Sequence, residues 1–343
     1  MRGIIKANKD EWSLSVADLP VPELGNGDVL VKIRAAGVCY TDVTILKNKY
    51  IGRKPVPIPI ILGHEGAGEI VEVGPGVSES RVGERVALEP IGGCGSCYQC
   101  LTGNKNLCSS WDHIGITRDG TFAEYISLPS SQAHAISKGV DFSVAAVAEP
   151  FGLVVRSLEK ARMMLGENVA IVGPGAIGLM HLLAFRAAGA SKVIMLGLEK
   201  DRKRFTAAEA AGADHCIAAD KENAAEAVME YTGGNGADIV IETASSPKAT
   251  SLAFELAGPH GRVILFGLYP EAVFSPVNML RKAVTAFGDV GQLTRHFIQG
   301  LRIMESGMLD FSPVLDARFS FEDAGKALES SMSGDVTKVV FLD

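Results

Sequence analysis

Residues 168–189 read NVAIVGPGAIGLMHLLAFRAAG. A short β-type run enters Gly173, Gly175 and Gly178, and an apolar helix-forming stretch leaves them at once. A bare GxGxxG is a weak signal, but between a strand and a helix start it reads as the phosphate turn of a dinucleotide fold. The first glycine permits the tight turn, the second lets a pyrophosphate approach the backbone, and the third lets helix and strand pack closely. Ala176 and Ile177 open the helix, whose N-terminal N–H groups have no intrahelical acceptor and suit phosphate oxygens. The competing reading is a glycine-rich turn that binds nothing, and the flanking pattern favours the dinucleotide.

Outward from this unit the β-α alternation continues through KVIML, DRKRFTAAEAAG, HCIAA, KENAAEAVMEYTG, ADIVIE, PKATSLAFELAG and GRVILFG. It predicts an α/β, Rossmann-type doubly wound parallel sheet over 151–284. Residues 1–150 instead carry short β-type runs at 29–35, 67–73, 85–88 and 122–128, punctuated by Gly and Pro, which predict a β-rich domain with long loops. The tail 285–343 reverts to mixed text ending in VTKVVFLD, so it is expected to rejoin residues 1–150 in one discontinuous catalytic domain.

Composition excludes several classes. A chain of 343 residues is long enough for about two hydrophobic cores without disulfide staples. With 33 basic against 40 acidic side chains it carries a net −7, which disfavours nucleic acid as a partner. The N-terminus lacks the apolar core of a secretory signal, and the apolar stretch 169–185 is broken by Gly173, Pro174, Gly175, Gly178 and His181. A cytoplasmic protein with no membrane span is the expectation. In that reducing setting the six cysteines read as metal ligands or buried thiols.

Four of them, Cys94, Cys97, Cys100 and Cys108, follow C-x2-C-x2-C-x7-C. Four thiolates at this spacing can close a tetrahedron about Zn²⁺ and leave no open position, which makes the site structural. An iron–sulfur run would have a shorter last gap and a following proline. Cys39 in GVCYTD and His64 in GHEGAG are ordinary ligands of a catalytic zinc with an open position, though either alone is more often a buried thiol or a turn histidine.

Cofactor choice turns on the end of the second strand, where an NAD site places an acid. Counting along KVIML puts Gly197 there, followed by Lys200, Arg202, Lys203 and Arg204, which favours NADP. Counting back from the downstream GAD turn puts Glu199 at the acid's place, which is the reading for NAD. The basic run is also what the solvated first turn of a helix looks like.

These motifs, in the order GDVLVKIRAAGVCYTD, GHEGAGEIVEVGPGV, VGERVALEP, the cysteine loop, DGTFAEY, AEP and GPGAIG, resemble the zinc-containing medium-chain alcohol dehydrogenase family across nearly the whole chain. The similarity is to its polyol (sorbitol) and threonine dehydrogenase branch. It implies a GroES-like catalytic domain beside the Rossmann domain, one catalytic and one structural zinc per subunit, NAD or NADP, and a homodimer or homotetramer. The resemblance makes Cys39 and His64 zinc ligands, with Glu149 of AEPF in the third position and Glu65 as an alternative ligand. It makes Asp42 the carboxylate that orients the zinc histidine, Thr41 the hydroxyl that takes the substrate proton, and Lys338 a residue that returns to the cofactor pyrophosphate.

Two departures bear on the chemistry. Thr44 stands where some members end their proton relay in histidine, and Ile91 stands where threonine dehydrogenases carry one, which argues against threonine. The implied reaction is hydride transfer between NAD(P) and a small-molecule secondary alcohol: a polyol, sugar alcohol or sugar acid. Arg156 could meet an anionic substrate, although a helix-surface arginine is the commoner meaning; His113, His134 and His260 read as structural. A zinc-free quinone or enoyl reductase shares the fold but lacks these ligands, and a non-catalytic relative would show damaged ones.

Overall fold

Uninterrupted apolar runs and alternating runs fold into different sheets. In the computed structural model, which describes residues 1–288 and 290–343, NVAIV becomes the strand Asn168–Val172, buried at four of its five positions. It lies at the centre of a six-stranded, wholly parallel sheet. The strand order is His215–Ala218, Lys192–Gly197, Asn168–Val172, Ala237–Glu242, Ala257–Leu265, Thr285–Gly288. Both faces are covered, which is why these strands read as nearly continuous apolar text. Val169, Ile171, Val193 and Met195 enter one core cluster, while Ala170, Val172, Ile194 and Leu196 enter the cluster on the opposite face. Each buried Val, Ile, Leu or Met among them contributes about 1.5–3 kcal/mol relative to exposure.

Strand order reverses beside Asn168–Val172, because the strands next in sequence lie on one side of it and the later ones on the other. In open parallel sheets the crevice at such a reversal, outside the carboxyl ends of the strands, is where ligands sit. Gly173 begins there.

The second large sheet is mostly antiparallel and is centred on Asp28–Gly37, which pairs with Glu65–Val73, Tyr125–Pro129 and Val339–Leu342. The tail therefore divides. Thr285–Gly288 extends the parallel sheet to Gly288, four residues beyond the boundary expected from sequence. Ala317–Phe319 and Val339–Leu342 lie in the antiparallel sheet. Between them the helix Thr294–Glu305 packs Phe297, Leu301 and Met304 into the cluster that holds Phe151 and Val154 of the helix Ala148–Ala161.

One register sets up the site. Gly37 is paired with Glu65, so the end of one strand lies beside the start of another. A Cβ at residue 37 would stand 2.1 Å from the Glu65 carboxylate, so only glycine leaves room for that side chain. Among the described residues no helix is long and apolar enough to cross a membrane.

Candidate active site

A cleft of about 1480 Å³ runs from the glycine-rich turn to the junction of Gly37 and Glu65. It is lined by Gly173, Gly175, Ala176, Ile177 and Gly178 at one end and by Cys39, Thr41, His64, Glu65 and Glu149 at the other. Glu149, 85 positions beyond His64, and Lys338, 274 beyond it, thus share one cavity with it.

Asp42 assembles the deep end. Its Oδ2 accepts from the Cys39 N–H at 2.9 Å and its Oδ1 from the Gly63 N–H at 3.1 Å, which fastens the loop bearing Cys39 to the loop bearing His64. The His64 Nδ1 stands 3.6 Å from Asp42 Oδ1, within ion-pair reach, and makes no hydrogen bond among the described residues. Asp42 therefore faces the imidazole directly, as an ion-pair neighbour, and also fastens the backbone before it.

Ligand atoms of Cys39, His64 and Glu65 lie within 4.8 Å of one another. Burial opposes charge on His64, but the neighbouring Cys39 and Asp42 outweigh it and raise the imidazole well above its ordinary value. Glu65 is fully buried: Oε1 takes the Lys338 Nζ at 2.6 Å, and Oε2 has no hydrogen bond among the described residues. Glu149 borders the cluster, and burial above all, with the Glu65 charge adding to it against the pull of His64, pushes its carboxyl up to about 7. A thiol, an imidazole and the Glu65 carboxylate, whose Oε2 has no hydrogen bond among the described residues, with Glu149 bordering them, fit Zn²⁺.

Lys338 is buried. Its Nζ also donates to the Val38 carbonyl at 2.9 Å, so two of its three donors are spent at the zinc end, where the resemblance had implied the cofactor pyrophosphate. Burial works against its charge, and Glu65 more than restores it.

The four loop cysteines bring their sulfurs within the same 4.8 Å limit. Cys97 and Cys108 sulfurs are 3.7 Å apart, close to the roughly 3.8 Å edge of a tetrahedron with zinc–sulfur bonds of about 2.3 Å. The Cys94 N–H points at the Cys108 sulfur and the Cys97 N–H at the Cys94 sulfur, each at 3.4 Å. Donors from Ser96 and from the Cys97 backbone hold the Cys94 thiol down at about 6, which favours the thiolate that a metal binds. This set fits a closed four-sulfur zinc site.

At the dinucleotide end the glycines differ in what crowds them. A Cβ on Gly173 would meet Thr243 Oγ1 at 2.7 Å and one on Gly178 the Gly173 carbonyl at 1.9 Å, whereas Gly175 faces open space. The middle glycine is thus the one with room above it for a phosphate. Gly197 has a local reason of its own: a Cβ there would come within 2.9 Å of Pro174 and 3.0 Å of Phe205. Arg202 does not face the cleft, because Glu199 grips its guanidinium at 2.9 and 3.1 Å. Lys200, Asp201, Arg204 and Asp220 line that end, and Arg204 spends two donors on the Val336 carbonyl.

Other assignments from sequence also shift. Arg156 is buried at 7% exposure and lines the cleft, donating to the Gly291 carbonyl, so it is no helix-surface arginine. His134 pairs with Glu89 at 3.0 Å outside the cleft. His113 lines the cleft beside His64, with ring centres 5.4 Å apart, together with Tyr50, Arg53 and Trp111. Nothing in the local sequence of DHIGI marks His113; the signal was its place just past the last loop cysteine.

The family model for the alcohol dehydrogenase GroES-like domain matches residues 25–138, and that for zinc-binding dehydrogenases matches 176–306. The L-threonine 3-dehydrogenase of Pyrococcus furiosus is 34% identical over 342 residues, 98% of this chain and 97% of the relative. A sorbitol dehydrogenase of Halalkalibacterium halodurans is 31% identical over 99% of this chain and 98% of its own length. Among solved structures, an alcohol dehydrogenase from Escherichia coli CFT073 complexed with NADH superposes with a TM-score of 0.92 at 27% identity, covering 100% of this chain and 99% of that one.

Proposed function

Since the chain belongs to the zinc-containing medium-chain alcohol dehydrogenase family, we propose that it oxidises a secondary alcohol of the polyol, sugar-alcohol or sugar-acid class, reversibly, with a nicotinamide dinucleotide. The observation that carries this reading is one cleft with a metal-binding cluster at its deep end and the glycine turn at the other. Residues 1–150 and the returning tail would supply the cluster, and the parallel-sheet domain the turn. Ile91, apolar and buried in the cleft, supports a substrate other than threonine. The test is a panel of secondary alcohols, polyols, sugar acids and threonine, offered with NAD and with NADP while nicotinamide reduction is followed. Failure of every alcohol would overturn the reading.

Cys39, His64, Glu65 and Glu149 would hold the catalytic zinc, and the four loop cysteines a structural one. When bound, the ion supplies a Lewis acid beside the substrate hydroxyl and the dinucleotide supplies the hydride acceptor. Thr41, which lines the cleft with the cluster residues, would accept the hydroxyl proton at Oγ1 and pass its own toward water. Thr44 donates to the Thr41 carbonyl at 2.9 Å and steadies that turn; it is not the proton's exit. Val38, Ile91, Ile116 and Leu153 line the walls and keep the reacting end dry.

Of the two carboxylates, Glu65 has a second cation in Lys338, while Glu149 has no hydrogen bond or ion pair among the described residues. Glu149 is therefore the steadier ligand and Glu65 the one able to leave. Glu149→Gln is expected to lose more zinc on dialysis than Glu65→Gln, read by metal analysis; the reverse order would exchange their roles.

For the cofactor we propose NAD over NADP, against the preference drawn from sequence. The gap at Gly197 is filled by Pro174 and Phe205, Arg202 is held by Glu199, and the Asp201 and Asp220 carboxylates would face a 2′-phosphate of about two negative charges. NAD is expected to bind about tenfold tighter by calorimetry, a difference of about 1.4 kcal/mol. Tighter NADP binding, lost in Lys200→Ala, would restore the preference for NADP.

The exposed edge strand Thr285–Gly288, with Val277 and Leu280 exposed nearby, supports a homodimer or homotetramer, which sedimentation would test. Six free thiols are in keeping with a cytoplasmic location.

A further inference from the structure

The substrate end of the cleft contains a group that neither the metal cluster nor the proton path uses. His113 is 6% exposed and lines the cleft. It lies on the two-residue strand Asp112–His113, paired in register with Ile91, so its backbone is fixed by a ladder and not by a free loop. Its ring stands edge-on to His64 at 5.4 Å and beside Trp111 at 5.2 Å. Nδ1 is 2.7 Å from the Ile114 carbonyl, which can only accept, so Nδ1 carries the proton. Nε2 is then an acceptor with no hydrogen-bond partner in the protein among the described residues.

We propose that His113 is a specificity-determining residue for vicinal diols: its Nε2 accepts a hydrogen bond from the hydroxyl adjacent to the carbinol being oxidised. The inference rests on the dehydrogenase reading above and adds the part of the substrate that the reaction itself does not need. The geometry explains why the acceptor is well placed. His64 belongs to the metal cluster at the reacting end of the cleft, and His113 is its ring neighbour at 5.4 Å, so a hydroxyl close to the reacting carbon is the group within reach of this side chain. A monoalcohol offers only an alkyl group there and leaves the nitrogen without a donor, which is a penalty for the wrong substrate as well as a gain for the right one. His113 is a positioning residue with respect to the chemistry, since no proton or hydride passes through it.

The experiment compares butane-2,3-diol with butan-2-ol on the zinc-loaded protein in wild type, His113→Phe and His113→Gln. Phenylalanine keeps the ring and removes the acceptor; glutamine keeps an acceptor. Zinc content is measured in each. The wild type should prefer the diol, and His113→Phe should lose about tenfold in kcat/KM for the diol with little change for the monoalcohol, while His113→Gln recovers much of the loss. Diol binding is read separately from turnover, as quenching of Trp111 fluorescence in a Trp12→Phe background with dinucleotide present; His113→Phe should weaken it by a similar factor. Equal losses on both alcohols, or an unchanged diol preference in zinc-replete His113→Phe, would overturn the inference. Should the wild type oxidise neither alcohol, the fluorescence titration still decides whether His113 recognises a diol, while the dehydrogenase reading is decided by the wider panel above.

Discussion

His64→Ala is expected to abolish turnover while leaving dinucleotide affinity within about twofold of wild type. The two functions share a cleft but not their supports. His64 belongs to the buried cluster with Cys39 and Glu65, built on the junction of Gly37 and Glu65. The glycine turn is held by its own sheet, where the Gly173 N–H donates to the Leu196 carbonyl at 2.8 Å and Thr243 Oγ1 reaches the Gly173 carbonyl at 3.0 Å. Removing the imidazole leaves Cys39, Glu65 and Glu149, three acidic groups crowded in an apolar pocket with Lys338 as the remaining cation. Zinc retention should fall with activity, and that pairing is what identifies the imidazole as a ligand. Thr41→Val provides the contrast: it should keep the metal and lose about 10²-fold to 10⁴-fold in kcat, the usual worth of a general acid–base group. Full activity in His64→Ala would eliminate the metal mechanism and return the protein to the zinc-free reductase class.

What the linear text carried depended on the range of the interaction. The glycine turn and the cysteine loop are local: each is one segment whose spacing already dictates which atoms can meet, as the 3.7 Å sulfur separation of Cys97 and Cys108 shows. The β-α alternation was legible for a similar reason, since strands buried on both faces leave an apolar run at every step. Interactions across hundreds of residues leave no such trace. Lys338 and Glu65 are 273 positions apart, and only the pairing of Val340 with Gly37 brings that lysine to the metal end. Arg156 looks like a surface residue until the carbonyl of Gly291 covers it. Gly197 was read as room for a phosphate because its spacing fits that use; the side chains of Pro174 and Phe205 that claim the space are visible only in three dimensions. His113 was missed because a single histidine in a short loop has no pattern, and its meaning comes from the ring beside it.

The cysteine loop provides the other large effect, on stability and on the substrate end together. Cys97→Ser should leave one zinc per subunit and lower the melting temperature by about 5 °C or more, because a three-sulfur remnant cannot close the tetrahedron and the loop has little core of its own. Tyr98 and Leu101 are 76% and 73% exposed while Asn106 and Cys108 are buried, so only the end of this segment is anchored in the core, and a zinc on the four sulfurs would hold the rest. The consequence should not stop at the loop. Lys105, within it, reaches the fully buried Glu89 at 2.6 Å, and the same carboxylate takes His134 at 3.0 Å and Thr294 at 2.9 Å. Asn106 donates to the Val290 carbonyl at 2.7 Å, and the Trp111 carbonyl receives Lys54 at 2.5 Å. Asn106, Trp111 and His113 all line the cleft, so loosening the loop loosens the wall that faces the substrate and not the turn that faces the dinucleotide. KM for the alcohol should therefore rise while cofactor affinity holds, and the zinc that remains should be the one lost in His64→Ala. A Cys97→Ser protein with two zincs and an unchanged melting temperature would show that the four sulfurs serve some other purpose.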